Sequence, residues 1–370
     1  MADSYSQDAK IEQIVNSDRS QVISHVSGGM VVYGSVTINS PDRAEVEPTE
    51  KTRNIGANPY KGLLAFHEED SDRYFGRIRE IDELWEKFRQ HHEQPEATRF
   101  LPIYGPSGSG KSSLARAGLI PKLGKHPIPG KERARVAVLV PGTEPLQALG
   151  AILARIATHD SMPAKKTREL TEELAVANPE GNYDGLQRIA THLPEVATLP
   201  LIVFVDQFEE VYSLCKDPEK RDAFIGNLLF AARDRSNYVS LITTFRSDFL
   251  GETHRHPQLN RLFSDQGFLV PTMDQEGLRA AIAEPAQQAG HPLNEATINL
   301  LIEQTEGREG ALPLLQFALT RIWEGLAAGK ESGTTLKQIG GVGGALAKEA
   351  ERIYKCLNSE EKEIARRVFL

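Results

Sequence analysis

Eight residues, Gly105-Pro-Ser-Gly-Ser-Gly-Lys-Ser112, constrain this chain more than any other stretch. They meet the pattern G-x-x-x-x-G-K-[ST] at each fixed position. An apolar run, Phe100–Tyr104, leads in, and Lys111–Leu119 reads as the helix that follows. The chemistry explains the residue types. Gly108 and Gly110 leave room for backbone N–H groups to wrap an anion, and the following helix turns its positive end toward it. The Lys111 side chain can reach β- and γ-phosphates, and the Ser112 hydroxyl can ligate Mg²⁺. Gly105, Pro106, Ser107, Ser109 and Ser113 complete the expected phosphate cradle. A loop of this kind requires a strand–loop–helix unit, so the fold class expected is α/β. The serines are not read as nucleophiles, because no G-x-S-x-G elbow with a downstream Asp and His accompanies them.

The rest of the middle region agrees. Val136–Val140, Leu201–Val205 and Val239–Thr244 are short, almost wholly apolar strands separated by helical stretches, as a buried parallel sheet demands. Leu201-Ile-Val-Phe-Val closes on Asp206, which puts a carboxylate at the sheet's C-terminal edge beside the glycine-rich loop. Asp206 is expected to hold the Mg²⁺ shell with Ser112, and Glu209 or Glu210 to polarise an attacking water. The bland alternative for that pair is an acidic helix start. Arg246 ends the last strand and is expected to sense γ-phosphate charge; the alternative is a pair with Asp248. His91-His92 ends a helix, where a charged imidazole suits the dipole.

Composition excludes several classes. The longest hydrophobic run, Leu199–Val205, is far short of the roughly 20 residues that a membrane-spanning helix needs. The polar, acidic opening Met1-Ala-Asp-Ser is not a secretory signal, and Cys215 and Cys356 fit a reducing compartment, so a cytoplasmic location is expected. With 43 basic against 51 acidic residues, net −8, nucleic acid is disfavoured as a partner. Four zones are expected: 1–57 as a β-prone segment and linker, 58–270 as the phosphate-loop core, 271–335 as a helical subdomain, and 336–370 as the start of a further helical unit.

In that order the motifs resemble a STAND NTPase, a signal-transduction ATPase with numerous domains, and in particular the bacterial subgroup often linked to WD40 repeats. The likeness runs from Asn58-Pro-Tyr-Lys-Gly-Leu-Leu-Ala-Phe66 through Tyr74-Phe-Gly-Arg77, the glycine-rich loop, Asp206-Gln-Phe-Glu-Glu210 and Thr243-Thr-Phe-Arg246. It continues in Pro271–Arg279 and Gly310-Ala-Leu-Pro-Leu-Leu315. It implies that Phe75, Gly76 and Arg77 pack on the base and that Pro313 contacts it from the helical subdomain. Lys111 and Arg246 would act with the glutamates in slow ATP hydrolysis. It also implies that 336–370 opens a winged-helix domain. Two departures stand out: Ala311 where a glycine is usual, and Gln207 where NACHT relatives carry a tiny residue.

The mechanism implied is a switch. ADP holds a closed monomer, and ATP with Mg²⁺ opens it into a homo-oligomer serving bacterial defence, stress or cell-death signalling. Residues 20–41 carry no charge and are rich in β-branched and small residues. They are expected either to stack with copies of themselves and template an effector protein, or to dock as one hairpin with Ser27-Gly28-Gly29 at its turn. A remodelling ATPase and a nucleotide-holding scaffold are the competing classes.

Overall fold

The computed structural model describes residues 24–27, 30–34 and 55–369, apart from 95, 127, 129, 132, 235 and 237. The expected stretch 20–41 therefore lies partly outside the described residues. Its strands β1 (Ser24–Ser27) and β2 (Met30–Gly34) pair antiparallel. The remaining strands are β3 (Phe100–Gly105), β4 (Ala134–Leu139), β5 (Leu201–Val205), β6 (Val239–Arg246) and β7 (Phe268–Leu269). Five of them form an all-parallel sheet in the order β4-β5-β6-β3-β7, and β2 adds parallel to β4 at the edge. The docked hairpin is thus the arrangement in this structure.

Helices cover both faces. After α1 (Ile78–Glu93) come α2 (Lys111–Ser113), a π-helical stretch Leu114–Leu119 and α3 (Ile120–Lys125). Then follow α4 (Pro145–Thr158), α5 (Ala164–Ala175), α6 (Gly185–Thr191), α7 (Glu210–Ser213), α8 (Pro218–Arg233) and α9 (Pro257–Gln266). The later helices are α10 (Gln275–Gln288), α11 (Glu295–Thr305), α12 (Ala311–Ala327), α13 (Ser332–Ile339), α14 (Gly341–Cys356) and α15 (Ser359–Phe369).

The strand sequences explain the layering. Successive side chains of a strand face opposite ways, so a strand covered on both sides is apolar throughout. All five residues of β5 are fully buried. Val203 and Val205 join the cluster under α4, α6 and α8, whereas Ile202 and Phe204 join the one under α1 and α3. A third cluster lies away from the sheet, among α10, α11, α12, α13 and α14, and it includes Tyr60. The chain order reverses at β3, which sits between β6 and β7. In open parallel sheets that switch point, at the strands' C-terminal ends, is where ligands bind.

Candidate nucleotide site

The glycine-rich loop leaves β3 at this switch point. Gly108 (φ +74°) and Gly110 (φ +86°) are left-handed, which glycine adopts without cost. Gly108 meets a second demand. A Cβ placed on it would come within 2.9 Å of the Cα of Gly310, so the loop touches the turn that caps α12. The Lys111 ammonium is buried at the centre, where its Nζ donates to the Pro106 carbonyl at 2.8 Å. Burial lowers its pKa, opposed chiefly by the negative charge of Glu209. A buried ammonium with one carbonyl partner is suited to an arriving anion.

Ser112 and Asp206 come together as expected. Ser112 Oγ donates to Asp206 Oδ1 at 2.7 Å, and a hydroxyl that sequence reasoning missed, Thr244 Oγ1, donates to the same oxygen at 2.5 Å. Thr244 occupies the C-terminal part of β6, beside β5, and nothing in the strand's sequence separates it from the neighbouring Thr243. Gln207 answers for its bulk with backbone geometry. Its φ is +54°, and its N–H donates to Asp206 Oδ1 (3.1 Å) and Thr244 Oγ1 (2.9 Å). A serine hydroxyl and a carboxylate are the hard oxygen donors that Mg²⁺ accepts while keeping several waters, so the residues fit that ion.

The two glutamates separate. Glu209 is buried, accepts the Arg246 N–H at 3.3 Å, and lies close enough to Lys111 for their charges to interact. Glu210 instead accepts the Gly142 N–H at 3.1 Å, in the loop after β4. Burial raises the pKa of both. Arg246 pairs with Gly105 in the β6–β3 register, at the rim of the loop. Its guanidinium takes both Asp248 oxygens, at 3.1 and 2.5 Å, and lies over the Phe249 ring. The pairing alternative is the one formed in this structure.

A cavity of about 220 Å³ opens beside the loop, walled by Gly108, Gly110 and Lys111 on one side and Leu312, Pro313 and Gln316 of α12 on the other. Ser112, Ser113 and Phe75 also line it. Gly76 (φ +86°) turns the chain so tightly against α10 that a Cβ there would lie 2.3 Å from the Gly277 carbonyl oxygen. Arg77, almost wholly buried, pairs with Glu80 at 2.5 Å and donates to the Ser109 carbonyl at 3.4 Å, bracing the loop from behind. Pro106, Ser107 and Ser109 lie in the turn between Gly105 and Gly110, and Pro106 and Ser109 border a smaller crevice toward Arg308 and Gly310.

The segment Asn58–Phe66 straps across the cavity, an element whose role the sequence did not disclose. Tyr60 Oη donates to the Ile282 carbonyl at 2.6 Å, and the Tyr60 ring meets Trp323 edge-on at 6.3 Å. At the other end the Phe66 N–H donates to Ser113 Oγ at 3.0 Å, and Arg116 forks onto both Glu68 oxygens at 3.0 Å. No described helix is long and apolar enough to cross a membrane.

Comparison with known proteins adds three findings. The family model for novel STAND NTPase 1 matches residues 59–370. Among solved structures, the ADP form of the Aeropyrum pernix ORC2 protein is similar at 16% identity and a TM-score of 0.50, covering 72% of this chain and 69% of that one. The Walker-type ATPase paby2304 of Pyrococcus abyssi is similar at 15% identity and 0.44, covering 82% and 78%. At 16% identity the likeness to the ORC2 protein bears on the fold alone. No curated protein matches the chain in sequence.

Proposed function

From the premise that this chain belongs to the novel STAND NTPase 1 family, we propose that it is an ATPase whose bound nucleotide sets the relation between its sheet core and its helical layer. The observation that carries this reading is one cavity with two walls, the glycine-rich loop on the core side and Leu312–Pro313 of α12 on the other. A ligand whose phosphates lie on Lys111 and whose base lies on Pro313 contacts both layers. It therefore shifts their relation by its differential affinity for the two arrangements.

Each residue then has a task. The loop from Gly105 to Ser113 cradles phosphate, and Lys111 neutralises its charge. Ser112 and Asp206 would hold Mg²⁺, which would supply positive charge to offset that of the phosphates. Glu209 orients and deprotonates the attacking water, a role for which its place beside Lys111 and Arg246 suits it better than the place of Glu210. Arg246 reads the γ-phosphate by leaving Asp248. Phe75, Gly76 and Arg77 shape the approach to the base. The zones 58–270, 271–335 and 336–370 move relative to one another during the cycle. ADP favours a closed monomer. ATP favours an oligomer that gathers the 20–41 segments at high local concentration to engage an effector protein in bacterial defence, stress or cell-death signalling.

The test is mass and nucleotide content of the purified chain by light scattering, first with ADP, then with a non-hydrolysable ATP analogue and Mg²⁺. Monomer with ADP and a defined larger species with the analogue are expected. Steady turnover stimulated by an added protein or nucleic acid, with no change of mass, assigns the chain to the remodelling class instead.

A further inference from the structure

The base end of the cavity has a polar side chain that neither the motifs nor the hydrolysis chemistry uses. Gln316 lies on α12 one turn beyond Pro313. At 1.5 Å per residue it sits about 7.5 Å further along the helix than Ala311, whose turn abuts the phosphate loop. A nucleotide gripped by Lys111 therefore presents its base, not its phosphates, to Gln316.

The amide is oriented by the strap. Lys61 N–H donates to Gln316 Oε1 at 3.3 Å, which occupies one lone pair of that oxygen, and the two Nε2 hydrogens make no hydrogen bond among the described residues. Along the same wall run the strap residues Gly62, Leu63 and Ala65. Their N–H groups make no hydrogen bond among the described residues. Among the residues lining the cavity none is an aspartate or glutamate. Guanine's Watson–Crick edge carries three N–H hydrogens, at N1 and N2, and asks for side-chain acceptors. Adenine presents an acceptor at N1, where guanine presents N1–H, and so asks for a donor at that point, while its N6 amino group donates.

We propose that Gln316, held by the Lys61 backbone, is the residue that selects adenine over guanine at this site. The inference rests on the nucleotide-binding reading above. A donor aimed at N1 pairs with adenine, whose N1 accepts, and meets guanine's N1–H donor to donor, which leaves both N–H groups unpaired in a buried site.

The experiment measures binding of fluorescent non-hydrolysable ATP and GTP analogues, with Mg²⁺, to the whole chain and three variants. The unaltered protein is expected to prefer the ATP analogue by tenfold or more. Gln316→Leu, which removes the donors, is expected to weaken the ATP analogue roughly 5- to 30-fold and to leave binding of inorganic tripolyphosphate unchanged. Gln316→Glu keeps the shape and the Lys61 contact but replaces the donors by an acceptor, and is expected to narrow or invert the preference. Lys111→Ala removes the binding of both. Equal affinity for the two analogues in the unaltered protein, or an unchanged ATP affinity in both Gln316 variants, overturns the assignment while leaving nucleotide binding intact. Failure of the unaltered protein to bind either analogue strikes the nucleotide reading itself. Melting temperatures of the variants without ligand separate a specific loss from misfolding.

Discussion

Glu209 and Glu210 are adjacent in sequence and bond to different parts of the fold. The left-handed Gln207 starts a tight turn after Asp206 that sends the Glu209 carboxylate inward, to the Arg246 backbone, and the Glu210 carboxylate to Gly142. If Glu209 is the base, Glu209→Gln should cut steady-state hydrolysis by about 10²- to 10⁴-fold with little change in nucleotide affinity. Glu210→Gln should cost less than tenfold. Burial holds the Glu209 pKa above the usual carboxylate range. The group must be ionised to act, so the acid limb of the pH–rate profile should fall at higher pH than a free glutamate would give, and Glu209→Gln should abolish that limb. A Glu210→Gln variant that loses activity as fully as Glu209→Gln would reject this division of roles. The choice was illegible in the sequence because it depends on one backbone torsion, and Gln207 carries no signal that it will be positive. Lys111, Ser112 and Asp206 were legible because their spacing and apolar approach leave one way to assemble them.

Elements were read best where burial is two-sided. The expected strand Leu201–Val205 matches β5, which is buried on both faces. Phe268–Leu269, only two residues long, escaped notice because it is held by pairing to β3 rather than by its own pattern. The C-terminal end of α1 shows a different limit. His91 and His92 suit a helix dipole in their charged form, yet the structure packs them against the sheet. His92 Nδ1 donates to the Phe88 carbonyl at 2.8 Å and its Nε2 meets Ser240 Oγ at 2.8 Å, with Arg99 and Lys87 near the pair. Burial, aided by those cations, lowers each pKa to about 4. The sign follows. A folded pKa below the unfolded value of about 6.5 favours the neutral ring, so the stabilisation is complete above that pH and is lost as pH falls toward 4. Urea midpoints should therefore drop between pH 6.5 and 4. His91→Leu, at a ring whose Nδ1 has no partner, should flatten that drop. A drop of the same size in the variant would assign the acid sensitivity to carboxylates instead.

At the scale of the molecule the question is how two apolar cores come to share one ligand. The strap supplies part of the answer, because it is anchored in both. Tyr60 packs in the helical cluster with Trp323 and bonds Ile282, while Phe66 and Glu68 hold Ser113 and Arg116 in the helix that follows the phosphate loop. Under the proposed function the contact at Ser113 also favours the ligand. By accepting the Phe66 N–H, the hydroxyl keeps its own hydrogen free to donate to a phosphate, and a hydroxyl that accepts one bond donates the next more strongly. If the strap works this way, loosening its far anchor should be felt at the nucleotide. Tyr60→Phe keeps the ring and its contact with Trp323 but removes the hydrogen bond to Ile282, at a cost of about 1 kcal/mol of stability. The expected result is a slightly lower melting temperature without ligand, together with a two- to tenfold loss of affinity that is equal for ATP and GTP analogues. That equality distinguishes it from a change at Gln316, which alters the ratio. The measurements are thermal melts across a nucleotide titration, since a ligand that binds only the folded chain raises its stability in proportion to ln(1 + [L]/Kd). A variant that melts earlier but binds both analogues as tightly as before would make the strap a structural brace, with the coupling of the two layers left to the contact between Gly108 and Gly310.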